Sequence, residues 1–265
     1  MTTEIHPTAI VESGAELGAG VQIGPHCVVG PRVRLGEGVR LVSNVVVAGK
    51  TSLGAHTIVY PFASLGHPPQ AWKHKGEETE LAIGAHNIIR EGVTMNPGMV
   101  SGGGITRIGD HGMFMATAHI AHDCHVGNHV VMTNGSMIAG HVHVEDYAII
   151  SGLAAVHQNC RIGRNAFVGG LTGVEADVIP YGMVTGNRAS LSGLNLVGLK
   201  RRGLSRDTVH TLRNAYRLLF AQEGTFAERL ADVEELFKDT KEVMEIVAFA
   251  RVESIRGLVM PNRGG

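Results

Sequence analysis

From Ile5 onward, every sixth residue is aliphatic: Ile5, Val11, Leu17, Ile23, Val29, Leu35, Leu41, Val47, Leu53, Val59 and Leu65. With 44% of the chain apolar, eleven such matches in succession arise by chance on the order of once in ten thousand. The residue after the aliphatic is often glycine, as at Gly18, Gly24, Gly30, Gly36 and Gly54, and the residue four beyond it is small or branched, as at Ala9, Val21, Cys27 and Val33. A period of six fits neither an amphipathic helix nor a hairpin strand. It is a signature of the parallel β-helix, in which six residues form one short strand and a corner. Three such units close a triangular coil of eighteen residues, with the aliphatics stacked inside.

The register breaks twice. Residues at about 67–82, beginning His67-Pro68-Pro69-Gln70-Ala71-Trp72-Lys73, read as a loop, and so do 97–107, which contain Gly102-Gly103-Gly104. Between them the repeat holds at Ile83, Ile89 and Met95, and from Ile108 it runs through twelve apolar positions to Val174. The first domain is therefore expected to be an all-β parallel helix over 1–190.

Beyond about residue 190 glycine thins out and helix signals appear, so 191–265 is expected to be an α-helical domain capping the solenoid. Ser205 can cap a helix with Val209, Leu212, Tyr216 and Leu219 on one face, and Thr225 with Glu228 and Asp239 with Glu242 have capping-box spacing. Charge is segregated here. Lys200, Arg201, Arg202, Arg206, Arg213 and Arg217 stand against Asp207, while Glu223 to Glu245 is mainly acidic.

The whole chain balances 23 Lys and Arg against 24 Asp and Glu, which argues against a nucleic-acid binder. No apolar run approaches the length of a membrane span, and the first residues lack the pattern of a secretion signal. Three scattered cysteines, Cys27, Cys124 and Cys160, suggest reduced thiols and a cytoplasmic protein.

Of fifteen histidines, eight fall between 111 and 157. Residues eighteen apart should lie one above the other at about 4.8 Å, the spacing of adjacent strands. That stacks His122 with Gly140 and Gln158, beside His141 and His157, with His119 near the same turn and His125 with His143 in a second column. A neutral imidazole that takes a proton from an attacking hydroxyl, next to an approachable main-chain N–H, suits acyl transfer. Asp123 can orient His122 only if a corner separates them, because neighbouring strand residues face opposite ways. His26, His56, His86, His111 and His129 read as solvated edge residues.

The stretch His119-Ile120-Ala121-His122-Asp123-Cys124 closely resembles the catalytic segment of the UDP-N-acetylglucosamine acyltransferases. So do Ala139-Gly140-His141-Val142, Ala155-Val156-His157-Gln158, Gly186-Asn187 and Asn195 through Gly203 with its Gly-Leu-Lys-Arg-Arg-Gly core. The resemblance implies a homotrimer of left-handed β-helices with active sites in the clefts between subunits. The left hand comes from the resemblance alone, since the usual crossover preference is right-handed. The implied reaction moves an (R)-3-hydroxyacyl chain from acyl carrier protein to the 3-OH of UDP-N-acetylglucosamine, the first step of lipid A biosynthesis, without metal or other cofactor. His122 is the implied general base, Gly140 the oxyanion donor and Asp123 the support of His122. Sugar-nucleotide contacts carry onto Gln70, Lys73, His119, His141, His157 and Gln158, with Asn195, Arg201 and Arg202 near the uridine and phosphates. Gly170 stands where the family limits chain length, and a glycine there implies a chain of about fourteen carbons by the same resemblance. The basic run Lys200–Arg217 suits the acidic carrier protein.

The chain departs from the family pattern at Ala71, where an acidic residue is usual, at Asn96-Pro97-Gly98, where many members read His-Arg-Gly, and at Pro68-Pro69. Some relatives acylate a 3-amino sugar nucleotide, which is the competing acceptor. The related N-acyltransferase carries an extra N-terminal domain that is not expected here. A zinc hydratase of the carbonic anhydrase type is the rival outside acyl transfer. Zinc–nitrogen bonds of about 2.0–2.1 Å need closely spaced ligands, and His122 and His157 of one chain are too far apart, so a second subunit would have to contribute.

Overall fold

The structure is a computed structural model and describes residues 2–262. Short parallel strands, most of two residues, stack into three sheets of eleven, nine and eight strands. Successive strands along the chain go to successive sheets, so the chain winds as a parallel β-helix, and the helix is of the left-handed kind. In the two-residue strands from Gln22–Ile23 onward the first residue faces out and the second faces in, and the inward one is the aliphatic of the six-residue repeat. Leu35, Val47, Val59, Ile120, Ile138 and Val156 are all buried this way. Each rung hydrogen-bonds to the coils on either side, which satisfies the backbone polar groups that two-residue strands could not satisfy alone.

The vertical register is eighteen residues wherever the repeat is uninterrupted: His119 pairs with Met137, Met137 with Ala155, and Ala155 with Gly173. The two insertions stretch it, so that Ile58 pairs with Ile88 and Thr94 with His119. Both loops are shorter than the break in the repeat suggests. The strand Glu80–Ile83 resumes inside the first because Leu81 and Ile83 both point inward, and the strand Ile105–Ile108 resumes inside the second for the same reason at Thr106 and Ile108. A 3-10 turn at Val100–Gly102 sits in the remaining part of the second loop.

The corners use left-handed backbone, which His, Asn and Asp tolerate better than branched residues. At one corner His56, His86, His111 and His129 have φ of 57°, 57°, 58° and 56°. They are not independent surface groups. His86, His111 and His129 stack with centroids 4.8 and 4.9 Å apart, Tyr147 continues the stack at 4.6 Å, and His56 leans on His86 at 5.1 Å with its ring tilted by 31°.

Residues 190–194 correct the expected boundary. Ser190–Leu194 is a strand, antiparallel to Gly182–Thr185, and closes the top of the eleven-stranded sheet. The helices follow: α1 (Leu196–Arg201), α2 (Arg206–Leu219), α3 (Phe226–Leu236) and α4 (Lys241–Arg251). Ser205 caps α2 by accepting from Thr208 N–H, and the Thr225–Glu228 capping box opens α3. Asp239 does not cap α4; Thr240 holds the N-cap position, without a side-chain bond. The short α1 escapes a periodicity reading because six residues carry no repeat. The helices are tied to the last coil by Arg161, which bonds Asp177 at 2.7 Å and lies 4.2 Å above the Phe249 ring, and by a hydrogen bond from Tyr181 to Glu245.

Candidate active site

His122 follows the strand His119–Ile120 by two residues, and Asp123 turns the corner with φ 59°. This corner is what the pairing of adjacent residues required. His122 Nδ1 lies 2.8 Å from Asp123 Oδ2. Because a carboxylate only accepts, Nδ1 carries the ring proton and Nε2 keeps its lone pair. The Asp123 side chain is fully buried. Met99 N–H donates to its Oδ1 at 2.9 Å, and its own N–H donates to Thr106 Oγ1 at 2.8 Å. The second insertion loop therefore anchors the aspartate from behind, a role that composition and spacing did not reveal. His141, one coil up, places Nε2 3.7 Å from Asp123 Oδ2 and stands edge-on to the His122 ring.

Gly140 sits directly above His122. A Cβ at residue 140 would fall 2.5 Å from His122 Cε1 and 2.7 Å from Nε2, so only glycine admits the imidazole there. The Gly140 carbonyl accepts from Asn159 N–H, while its own N–H makes no protein hydrogen bond among the described residues. A free donor thus lies beside a free basic nitrogen.

These groups line one groove of about 550 Å³ with Gln70, Asn96, His119, Met137, Ala139, Ala155, His157, Gln158, Gly173 and Glu175. Its floor along the strand ladder, Met137, Ala155 and Gly173, is apolar and becomes narrower in side chain with each coil. Glu175 at the far end is ion-paired with Arg188. His119 Nδ1 bonds Thr94 Oγ1 at 2.7 Å, and burial pushes its pKa down, which favours the neutral ring. Asn96 is buried and donates from Nδ2 to the carbonyls of His67 (3.0 Å) and Pro68 (3.3 Å). Both hydrogens of the amide are thereby directed to the first loop.

Other expected contacts stand apart. Lys73 is exposed on the first loop, next to the fully exposed Trp72. Asn195, Arg201 and Arg202 line a second cleft of about 660 Å³ on a different sheet, with Tyr147, Ile149, Phe167 and Met183. Asn195 caps α1 through Gly198 N–H and holds Asn165 O at 3.0 Å, and the Arg202 guanidinium lies 3.6 Å over the Tyr147 ring. Gly170 is exposed, with room for a Cβ at 3.4 Å from Gly152 O.

A β-helix of six-residue repeats carrying a groove of this kind defines a hexapeptide-repeat transferase, and residues 14–49 match the bacterial transferase hexapeptide family. Residues 177–259 match domain 2 of the UDP-N-acetylglucosamine O-acyltransferases. The chain is 56% identical over 259 residues to the acyl-[acyl-carrier-protein]–UDP-N-acetylglucosamine O-acyltransferase of Caulobacter vibrioides, covering 98% of each chain. It is 49% identical to that of Rhizobium johnstonii over 99% of this chain and 97% of the other. Among solved structures, UDP-N-acetylglucosamine O-acyltransferase of Moraxella catarrhalis superposes with a TM-score of 0.93 at 41% identity, covering 96% of this chain and 99% of the other. The chain belongs to the acyl-[acyl-carrier-protein]–UDP-N-acetylglucosamine O-acyltransferase family. Among the described residues, no helix is long and apolar enough to cross a membrane.

Proposed function

We propose that this chain transfers an (R)-3-hydroxyacyl group from acyl carrier protein to the 3-OH of UDP-N-acetylglucosamine, with His122 as general base. The observation that carries this is the free Gly140 N–H beside the free Nε2 of an imidazole oriented by a buried carboxylate. Nε2 takes the hydroxyl proton as the oxygen attacks the thioester carbonyl. The Gly140 N–H donates to the tetrahedral oxyanion. Collapse breaks the carbon–sulfur bond, and the imidazolium returns the proton to the leaving phosphopantetheine thiolate. The acyl chain lies along Met137, Ala155 and Gly173, and Gly170 leaves room for a chain of about fourteen carbons by family analogy.

The cleft holding Asn195, Arg201 and Arg202 completes the site from a neighbouring copy in a homotrimer, with the arginine pair placed for a diphosphate. That assignment rests on their position on a different sheet from His122. Gln70, Lys73, His119, His141, His157 and Gln158 are the remaining sugar-nucleotide contacts. The exposed run Lys200–Arg217 receives the acidic carrier protein, and the enzyme works in the cytoplasm.

Asn96 supports a second acceptor. With both amide hydrogens committed to the loop, its remaining polar atom is an acceptor in the same groove as His122. A hydroxyl has one hydrogen, which His122 takes. An amine has two and can satisfy both acceptors, which suits a 3-amino sugar nucleotide. Purified protein offered each nucleotide with a set of hydroxyacyl carrier proteins, with product masses measured, decides between an ester and an amide. No acylated product from either nucleotide would refute both readings.

A further inference from the structure

Among the described residues, His122, Asp123 and His141 have donor atoms that all lie within 4.8 Å of one another. Asp123 Oδ2 is 2.8 Å from His122 Nδ1 and 3.7 Å from His141 Nε2. Tetrahedral ligation with bonds of about 2.0–2.1 Å needs donors roughly 3.3–3.4 Å apart, so these separations bracket the requirement. Asp123 is fixed by Met99 N–H, while both imidazoles are partly exposed and can adjust. Three protein ligands leave the fourth position to a water, as in open zinc sites. We propose that this group is an inhibitory site for a divalent cation of the zinc class. Two nitrogens and one carboxylate oxygen suit zinc or cobalt, whereas magnesium and calcium require oxygen ligands.

The inhibition follows from the tautomer, and in this it rests on His122 being the base. In the metal-free ring Nδ1–H faces Asp123 and Nε2 is unprotonated. A cation on Nδ1 displaces that proton, and the neutral ring carries it on Nε2 instead. Nε2 then donates and no longer accepts, so the base is disabled. The histidine stack at the other corner is a poorer site. From His86 to His129 its rings are near parallel at 4.8 to 4.9 Å between centroids, His56 is tilted by 31° against His86, and among the described residues this stack forms no group with metal-ligand spacing.

The test is a titration of the intact protein with cobalt, read by its visible absorption, and with zinc by calorimetry. One ion per chain is expected. His141→Ala should weaken binding by more than about tenfold, and His111→Ala should leave it unchanged. Zinc should lower the rate of acyl transfer, and a chelator should restore it. Equal affinity in His141→Ala, loss of the site in His111→Ala, or full turnover with the metal site saturated would each overturn the proposal. The titrations need no turnover, so they remain decisive if the chain acylates neither nucleotide.

Discussion

The His122 ring rests against the α-carbon of Gly140 in the coil above, at a distance that leaves no space for a methyl group. Gly140→Ala should therefore displace the imidazole while leaving the β-helix intact, because the added Cβ meets a side chain and not the backbone of a core strand. The expected loss in kcat is about 10²–10³-fold, the range for disturbing an oxyanion donor and its partner. Steady-state kinetics beside an unchanged circular dichroism spectrum would show it.

Asp123 sets which nitrogen of His122 bears the proton. Asp123→Asn can present an N–H to Nδ1 and drive the proton to Nε2, so kcat should fall by about 10²–10⁴-fold, as expected for a mis-set tautomer. Asp123→Ala should in addition lower stability by about 1–3 kcal/mol, because the buried Met99 N–H loses its acceptor. Urea denaturation of the two variants separates the effects.

Arg202 is pre-placed on Tyr147 rather than free in solvent. If it binds the diphosphate, Arg202→Ala should raise the KM for the nucleotide by roughly 10–100-fold, the worth of a charged hydrogen bond, with kcat nearly unchanged. A fall in kcat at constant KM would place Arg202 elsewhere in the reaction.

Burial holds His119 and His125 below the ordinary histidine pKa, with Arg107 adding to the effect at His125. The unfolded chain takes up protons on these residues near pH 6.5 while the folded chain does not. Their contribution to stability is thus intact above about pH 6.5 and is lost as pH falls from there towards their folded values. The melting temperature should drop across this window, and His119→Gln should flatten the drop.

All three cysteines are buried, and burial pushes the Cys124 thiol up to about 12 and Cys160 to about 11. Thiolate is the reactive form, so alkylation of the native protein should be slow and should accelerate with denaturant in step with unfolding. Rapid labelling of Cys124 in the native state would contradict its burial.

The solenoid was legible because one aliphatic every six residues is dictated by its geometry, and the eighteen-residue register followed, placing Gly140 over His122. The loop ends and the strand Ser190–Leu194 were not, since Glu80–Ile83 is fixed by strands in the coils on either side, and Ser190–Leu194 by a local antiparallel pairing with Gly182–Thr185 that breaks the six-residue period. The stacking of His56, His86 and His111 was hidden because the two insertions shift their spacing, whereas His111 and His129 keep the eighteen-residue register and their stacking was open to the same reading as the His122 column. The anchoring of Asp123 by Met99 and Thr106 had no local signal at all, since a glycine-rich loop reads as a gap.

The central claim is that the His122 nitrogen takes the proton of the attacking group. The most direct measurement is single-turnover acyl transfer by His122→Ala against the unaltered protein, with a saturating hydroxyacyl carrier protein and sugar nucleotide. The account predicts a loss of at least about 10²–10⁴-fold with nucleotide binding retained. Transfer at the unaltered rate would contradict it.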